Sequence, residues 1–312
     1  MDNVCYRMQH DSIVMYQELL SRTGFSFERL ASFCEMADAG SIAAVAGGDP
    51  NRASLISRQI RELEEFFGVG LVRRRGRGLE LTRAGRDLAA LGRENFRGLA
   101  DFAASCDGRG ITVRIVAANS PMQWLLLPRL GRVMESHPLV RFELHHEQTR
   151  MMVAATREGF YDAALVRGDA LDPGFRRQRL GRVGYSLAIP RTLSPSRPWS
   201  AAKALVSLPL ALPVGGSLRN QIESLAARSG KAIRLAVATT SYMQAAELVR
   251  TGTCAAVLPD ISTANFPSGS LHTLPLSISY ELCLAWTARN ADTRPALASV
   301  LETLAKILQI ED

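Results

Sequence analysis

Lysine is almost missing from this chain: of its 37 basic residues only Lys203, Lys231 and Lys306 are lysines. Arginine takes the rest. It suits bidentate contacts to phosphate and guanine, and a GC-rich genome supplies the same bias; the genomic explanation carries the larger share. Cysteine is sparse: Cys5, Cys34, Cys106, Cys254 and Cys283 are odd in number, and no two stand at zinc-ligand or dithiol spacing. That excludes a disulfide scaffold and fits a reduced cytoplasm. No run of about 18 uncharged apolar residues occurs. The stretch from Met1 to Glu18 carries Asp2, Asp11 and Glu18 where an export signal would be apolar, so neither export nor a membrane partner is expected. A glycine-rich phosphate loop, a nucleophile elbow and a two-histidine zinc motif are also missing, so no catalytic residue, cofactor or metal is expected. His145-His146 does not change this, because neighbours on a strand point to opposite faces.

What is present is enough apolar material for two or more buried cores: 312 residues, 47% hydrophobic, 21% charged, with a net charge of +7. The positive charge is local. Between Arg52 and Arg86 there are nine arginines (52, 58, 61, 73, 74, 75, 77, 83 and 86) against four glutamates, which marks a docking face for a polyanion.

Three helices are predicted before this patch ends. The first runs from about Ser26, with Phe27, Leu30, Phe33, Cys34 and Ala37 on one face. Ser41 caps a short second helix through Val45 and Ala46, and Gly47-Gly48-Asp49-Pro50 stops it. The third spans about Asn51 to Phe67, with Leu55, Ile56, Ile60, Leu63 and Phe67 inward and Arg52, Ser54, Ser57, Arg58 and Arg61 on the other side. Either Asp49 or Asn51 can cap it. Leu71 to Thr82 then reads as two short extended pieces around a basic, glycine-containing tip, a wing. A long helix follows from Arg83 to about Ala104, with Leu88, Leu91, Phe96, Leu99 and Phe102 in one arc, a stripe suited to pairing with a second copy. Gly92 and Gly98 weaken it in isolation.

Cys106 to Gly110 is the best linker. Beyond it strand and helix signals alternate: Ile111 to Ala118, a helix after Ser120, Leu139 to His145, a helix to Gly159, and Ala163 to Val166. The second half repeats the texture with Leu208 to Leu212, Ser217 to Ser229, Ile233 to Ala238, Ser241 to Thr251, and Ala255 to Leu258. This order predicts an α/β fold of parallel strands joined by crossover helices.

The residues Phe33, Gly40-Ser41-Ile42, Ser57-Arg58-Gln59-Ile60, Leu63-Glu64, Phe67-Gly68, Leu71, Arg74 and Leu81-Thr82-Arg83-Ala84-Gly85 stand with the spacing of the LysR-type transcriptional regulators, which the chain resembles over about Phe27 to Gly85. Leu127-Pro128, His137-Pro138-Leu139-Val140, Gly159 to Leu165, Leu248-Val249 to Gly252 and Leu258-Pro259 resemble the same family's effector domain, in the right order. The resemblance implies an N-terminal winged helix-turn-helix (26–85), a dimerising linker helix (86–110), and an effector domain (111–312) of two α/β subdomains like periplasmic binding proteins, usually assembled as tetramers. Residues 1–25 are an unusual extension with room for a helix, Ile13 to Leu20. The chain departs from the family at Gly47-Gly48-Asp49-Pro50 and at Arg52-Ala53-Ser54, and a shortened second helix is expected there.

A recognition helix enters the major groove with its N-terminal part, which makes Arg52, Ser54, Leu55 and Arg58 the expected base contacts. For Arg58 an ion pair with Glu62 at i, i+4 stands equal to that reading. Ser57 is expected on phosphate, and Arg73, Arg74, Arg75 and Arg77 on the backbone or minor groove. In the effector domain, Ser120-Pro121-Met122-Gln123 and Ser241-Tyr242-Met243-Gln244 read as capping boxes, and Gly215-Gly216-Ser217 precedes a third helix start where backbone N–H groups meet an anion. The resemblance carries ligand contact onto Asn119, Ser120, Thr149, Ser217 and Ser241. Arg167 and Arg219 can neutralise a carboxylate, with surface placement the ordinary alternative. Cys254 is a redox thiol or, as the ordinary reading has it, a small buried core side chain. The expected function is sequence-specific binding of double-stranded DNA by a homodimer or homotetramer, controlled by a small effector, with an anion as one effector class and RNA polymerase as a further partner. The alternatives are a regulator whose C-terminal domain serves oligomerisation or protein contact alone, and an α/β enzyme with a basic accessory domain.

Overall fold

The computed structural model describes residues 21, 23–76, 78–195, 199–227 and 230–310. The expected helix Ile13 to Leu20 lies outside these residues, as does Arg77. The described residues form two compact units. One comprises those up to Ala100 with Glu158–Phe160; the other comprises Asp101–Arg157 and those from Tyr161 on.

The first unit opens with three helices whose ends are written in the sequence. Helix α1 (Phe27–Ala39) begins where the Ser26 hydroxyl accepts the Arg29 N–H at 3.2 Å. Helix α2 (Ile42–Ala46) begins where Ser41 accepts from Ala44 N at 3.1 Å. Helix α3 (Pro50–Phe67) is capped by Asp49, which accepts from Asn51 N at 2.9 Å, so Asn51 is not the cap. The glycine-rich stop is a complete turn: Gly47 closes α2 in the left-handed region, Gly48 continues at φ 90°, and Pro50 sits where a helix needs no N–H donor. The shortened second helix is borne out, and the turn that departs from the family is accommodated without strain.

Leu30, Phe33, Cys34, Met36, Ile56, Ile60 and Leu63 pack as one core with Leu71, Leu88 and Ala89. Three expected inward residues are corrected. Leu55, Phe67 and Phe27 are exposed, and Phe66 is the buried residue at the end of α3. Along α3 the buried positions 56, 59, 60, 63 and 66 keep one helical stripe, and 55 and 67 fall off it.

The wing is an antiparallel pair, β1 (Val72–Arg75) and β2 (Gly78–Leu81). Glu64 fixes its entry, one carboxylate oxygen accepting Leu71 N at 2.7 Å and Val72 N at 3.1 Å. Thr82 fixes its exit: the hydroxyl donates to the Gly70 carbonyl at 2.7 Å and accepts Gly85 N at 3.0 Å, opening α4 (Arg83–Cys106). Gly85 is required because a Cβ there would stand 2.0 Å from the Leu71 carbonyl oxygen. Gly92 likewise lets α4 approach α1, since its Cβ would meet the Cys34 sulfur at 2.5 Å. The helix-weakening glycine is thus a packing residue.

The second unit is built on one eight-stranded sheet in the order β4-β3-β5-β10-β6-β9-β7-β8. In its first subdomain β3 (Thr112–Ala117) lies parallel between β4 (Arg141–His146) and β5 (Ala163–Arg167). In its second, β7 (Leu210–Pro213) lies parallel between β8 (Leu235–Thr239) and β9 (Ala255–Pro259). The crossovers are a helical segment α5 (119–136), α6 (Thr149–Arg157), α7 (Ala201–Ser207), α8 (Ser217–Ala227) and α9 (Tyr242–Arg250). Within α5 a π turn, Met122–Leu126, interrupts the α geometry. The two subdomains are joined by two long antiparallel strands, β6 (Phe175–Pro190) and β10 (Leu271–Thr287), which the sequence reading does not contain. Arg176-Arg177-Gln178-Arg179 in one and Pro275 in the other break the apolar alternation that identifies a strand. Helices α10 (Ala288–Thr293) and α11 (Pro295–Ile307) complete the first subdomain, whose core includes Ile115, Leu125, Leu165, Leu284 and Leu301. Leu187, Leu205, Leu210, Ile222 and Val257 form that of the second.

Arg294, 2% exposed, ties this unit together. It bonds Asp162, the Asp101 carboxylate near the end of α4 at 2.6 Å, and the Thr112 carbonyl at 3.2 Å. Asp162 also accepts the Arg114 N–H at 2.8 Å, so the buried charges are compensated.

Candidate functional site

The outer face of α3 is polar and open. Arg52, Ser54, Leu55 and Arg58 are exposed, and Ser57 is half-buried, while the opposite side of the helix is sealed in the core. The Asp49 cap starts the helix just before these residues, so the short and medium side chains of its first two turns project together. Arg52 lies 3.6 Å from Glu35 and Arg58 3.7 Å from Glu62, long contacts between exposed groups that solvent screens. Glu62 is held more closely by Arg29, so Arg58 is a secondary partner and is free to reach outward.

The wing arginines divide. Arg73 and Arg75 share one strand face and both bond Glu80, Arg73 directly across the hairpin at 2.9 Å and Arg75 on the diagonal at 3.3 Å. The Arg73 hydrogen bond holds the Glu80 carboxyl below its usual range, so it stays ionised. Arg74 points to the other face, is exposed, and forms no ion pair among the described residues.

In the second unit the structure gathers some expected ligand residues and separates others. The first turn of α5, Asn119–Pro121, and α9 approach within 8 Å between Cα atoms, bringing Asn119 and Ser120 near the helix that Ser241 caps. Ser241 is a true cap, accepting Met243 N at 3.1 Å. Ser120 is not: its helix starts one residue earlier, after Ala118, without a side-chain cap. Thr149 opens α6 and makes no side-chain hydrogen bond among the described residues.

Beside Ser241 lies a cluster that sequence reading missed. Tyr185 of β6, Tyr280 of β10 and Tyr242 of α9 meet with ring centroids 5.8 Å apart for Tyr185–Tyr280 and 6.0 Å for Tyr185–Tyr242. The Tyr185 and Tyr242 hydroxyls are 3.2 Å apart. Arg167, at the end of β5, sits 5.5 Å over the Tyr280 ring. Burial raises all three phenols, Tyr185 further through its tyrosine neighbours, so they remain neutral donors. These residues stand far apart in sequence, and two belong to the unforeseen strands; no local motif signals them. Arg167 already holds Asp169 through Nε at 3.0 Å and a second nitrogen at 2.5 Å, leaving one guanidinium nitrogen outside that pair.

Ser217 lines a different depression, of about 600 Å³, with Asn220, Gln221, Ser224 and Ser277. Arg219, half-buried, bonds Glu223 at 2.6 Å and the Pro213 carbonyl at 3.4 Å. Cys254 is 2% exposed and burial raises its thiol, as a core residue requires. No cluster of metal-ligating side chains occurs among the described residues, and His145 packs on Tyr161 at 5.0 Å.

Residues 27–86 match the bacterial regulatory helix-turn-helix of the lysR family, and residues 107–309 match the LysR substrate binding domain. A probable hydrogen peroxide-inducible genes activator of Mycobacterium leprae is 26% identical over 74% of this chain and 76% of its own length. The HTH-type transcriptional regulator DgdR of Burkholderia cepacia is 26% identical over 73% and 76%. The crystal structure of ArgP from Mycobacterium tuberculosis shares the fold with a TM-score of 0.67 at 20% identity, covering 91% of this chain and 98% of that one.

Proposed function

Because this chain belongs to the LysR family of bacterial transcriptional regulators, DNA-binding proteins with an effector-binding domain, we propose a division of labour among its residues. Arg52, Ser54, Leu55 and Arg58 read base edges in the major groove, Ser57 bonds phosphate, and Arg73, Arg74, Arg75 and Arg77 follow the backbone beside it. The carrying observation is the contrast across α3, whose inner stripe is sealed while its outer N-terminal face is open and rich in donors.

The effector site is the region where the first turn of α5, the capped start of α9, the three tyrosines and Arg167 converge. It offers backbone N–H groups, neutral phenolic donors and one partly committed guanidinium, a donor-rich set that favours a small anion. Leu91, Leu99 and Phe102 are exposed along α4 and supply the apolar stripe of a homodimer, from which a tetramer is assembled. No described helix is long and apolar enough to cross a membrane; we place the protein in the cytoplasm, acting at promoters in contact with RNA polymerase.

Fluorescence anisotropy with the DNA upstream of its own gene tests the reading. Binding at 150 mM salt should exceed that to scrambled DNA by at least 1,000-fold, on the order of known specific-to-nonspecific ratios. R52A should lower that ratio by about ten-fold or more. Equal affinity for scrambled DNA would defeat it.

A further inference from the structure

A second cavity, of about 560 Å³, lies where α5 of the first subdomain meets the 3-10 turn Asp260–Asn265 that follows β9 of the second. Trp124, Pro128, Ile261 and Ile310 give it apolar walls, and Arg129 and Asp260 give it one charge of each sign. It shares no lining residue with the tyrosine cluster or with the depression at Ser217.

Its two charges are placed but unspent. Asp260 is seated by the Ser186 hydroxyl, which donates to one carboxylate oxygen at 2.7 Å. Gly184 makes room for the other, since a Cβ there would stand 2.3 Å from it. Arg129 is half-buried, with one nitrogen on the Leu125 carbonyl at 3.3 Å, inside the π turn. Such turns occur mostly as single-turn insertions in α-helices, frequently at functional sites. Neither Arg129 nor Asp260 forms an ion pair with any described residue, although both line one cavity. Opposite charges left apart across a cavity of this size match a molecule that carries both.

We propose that this cavity binds a zwitterionic amino acid with an apolar side chain, its carboxylate on Arg129, its ammonium on Asp260 and its side chain against Trp124 and Ile261. The ligand spans α5 and the Asp260 turn, so it couples the two subdomains from a site other than the effector region.

Isothermal titration of the full-length protein with L-leucine, L-methionine and L-phenylalanine tests this, with 4-methylpentanoate and 3-methylbutylamine as leucine analogues lacking one charge each. At least one amino acid should bind saturably, at least ten-fold more tightly than either analogue. R129M and D260N should each weaken it at least ten-fold; D260N keeps the Ser186 hydrogen bond and so also serves if R129M does not fold. Y242F should leave it unchanged, and ligand-free DNA binding should survive D260N. Failure of all three amino acids to bind, equal binding of a one-charge analogue, or loss in Y242F with retention in D260N would overturn the proposal. Loss in Y242F with retention in D260N would instead place the amino acid at the tyrosine site, while failure of all three amino acids to bind leaves the anion reading of that site standing.

Discussion

Single side chains in this protein are set by burial more than by charge. Cys34 and Cys283 show it: burial drives both thiols up to about 11, with neighbouring acids adding to the effect and Arg93 or Arg177 opposing it. A thiol is nucleophilic only as thiolate, so at pH 8 these two are inert, whereas Cys106 is exposed at the end of α4. Iodoacetamide at pH 8 should therefore alkylate Cys106 at least ten-fold faster than Cys34, Cys254 or Cys283, as read by peptide mass spectrometry; equal rates would contradict the burial. The folded thiols ionise at higher pH than the ordinary value of 9.0. Their contribution to stability is thus complete below about pH 9 and falls as pH rises towards 11. A redox role, open for Cys254 from sequence, has no support in a buried thiol of this kind.

At the scale of elements, the wing is a hairpin whose basic charge is partly cancelled from within. Glu80 holds Arg73 and Arg75, so Arg74 is the wing arginine without an ion pair among the described residues. E80Q should tighten binding to scrambled DNA and steepen the log K against log salt slope by about one, as one more phosphate is neutralised. R74A should flatten it by about one. An unchanged slope in both would remove the wing from the interface. The helices and the wing were legible because their ends are chemical: Ser26, Ser41, Asp49 and Thr82 cap, and Gly40, Gly47 and Gly68 terminate. The inward face was legible through Leu30, Phe33, Ile56, Ile60 and Leu63, and slipped at Leu55 and Phe67, where apolar residues sit on solvent-facing positions that periodicity alone assigns inward. Gly92 shows the opposite failure. Helix propensity counts it as a weakness, and only the sulfur of Cys34, 58 residues earlier, reveals its use.

At the scale of the whole molecule, the alternating strands and helices of the second unit were readable, but what joins its subdomains was not. β6 and β10 earn their length from pairing with each other over many residues, and that register is non-local information. The tyrosine cluster and the Arg129–Asp260 cavity inherit the same obscurity, since each joins elements far apart in sequence: Tyr185 with Tyr280, and Arg129 with Asp260. The first half of β6 also has a property of its own. Its ladder to β9 begins only at Tyr185, so from Phe175 to Gly184 one edge lacks a strand partner among the described residues, and that stretch carries Arg176, Arg177, Arg179 and Arg182. Gln309 and Ile310 cover part of it: Ile310 N donates to the Leu180 carbonyl at 2.7 Å, and the Gln309 side chain to that of Arg179 at 3.2 Å. An open strand edge is a template for other chains, and charge together with a covering segment is how proteins blunt it. Truncation after Leu308 should leave the edge guarded by arginines alone. That variant should remain dispersed at low salt and cloud as salt screens the arginines, a turbidity dependence the intact chain lacks. Gln309 and Ile310 would then act as a guard against self-aggregation, a task unrelated to DNA or effector.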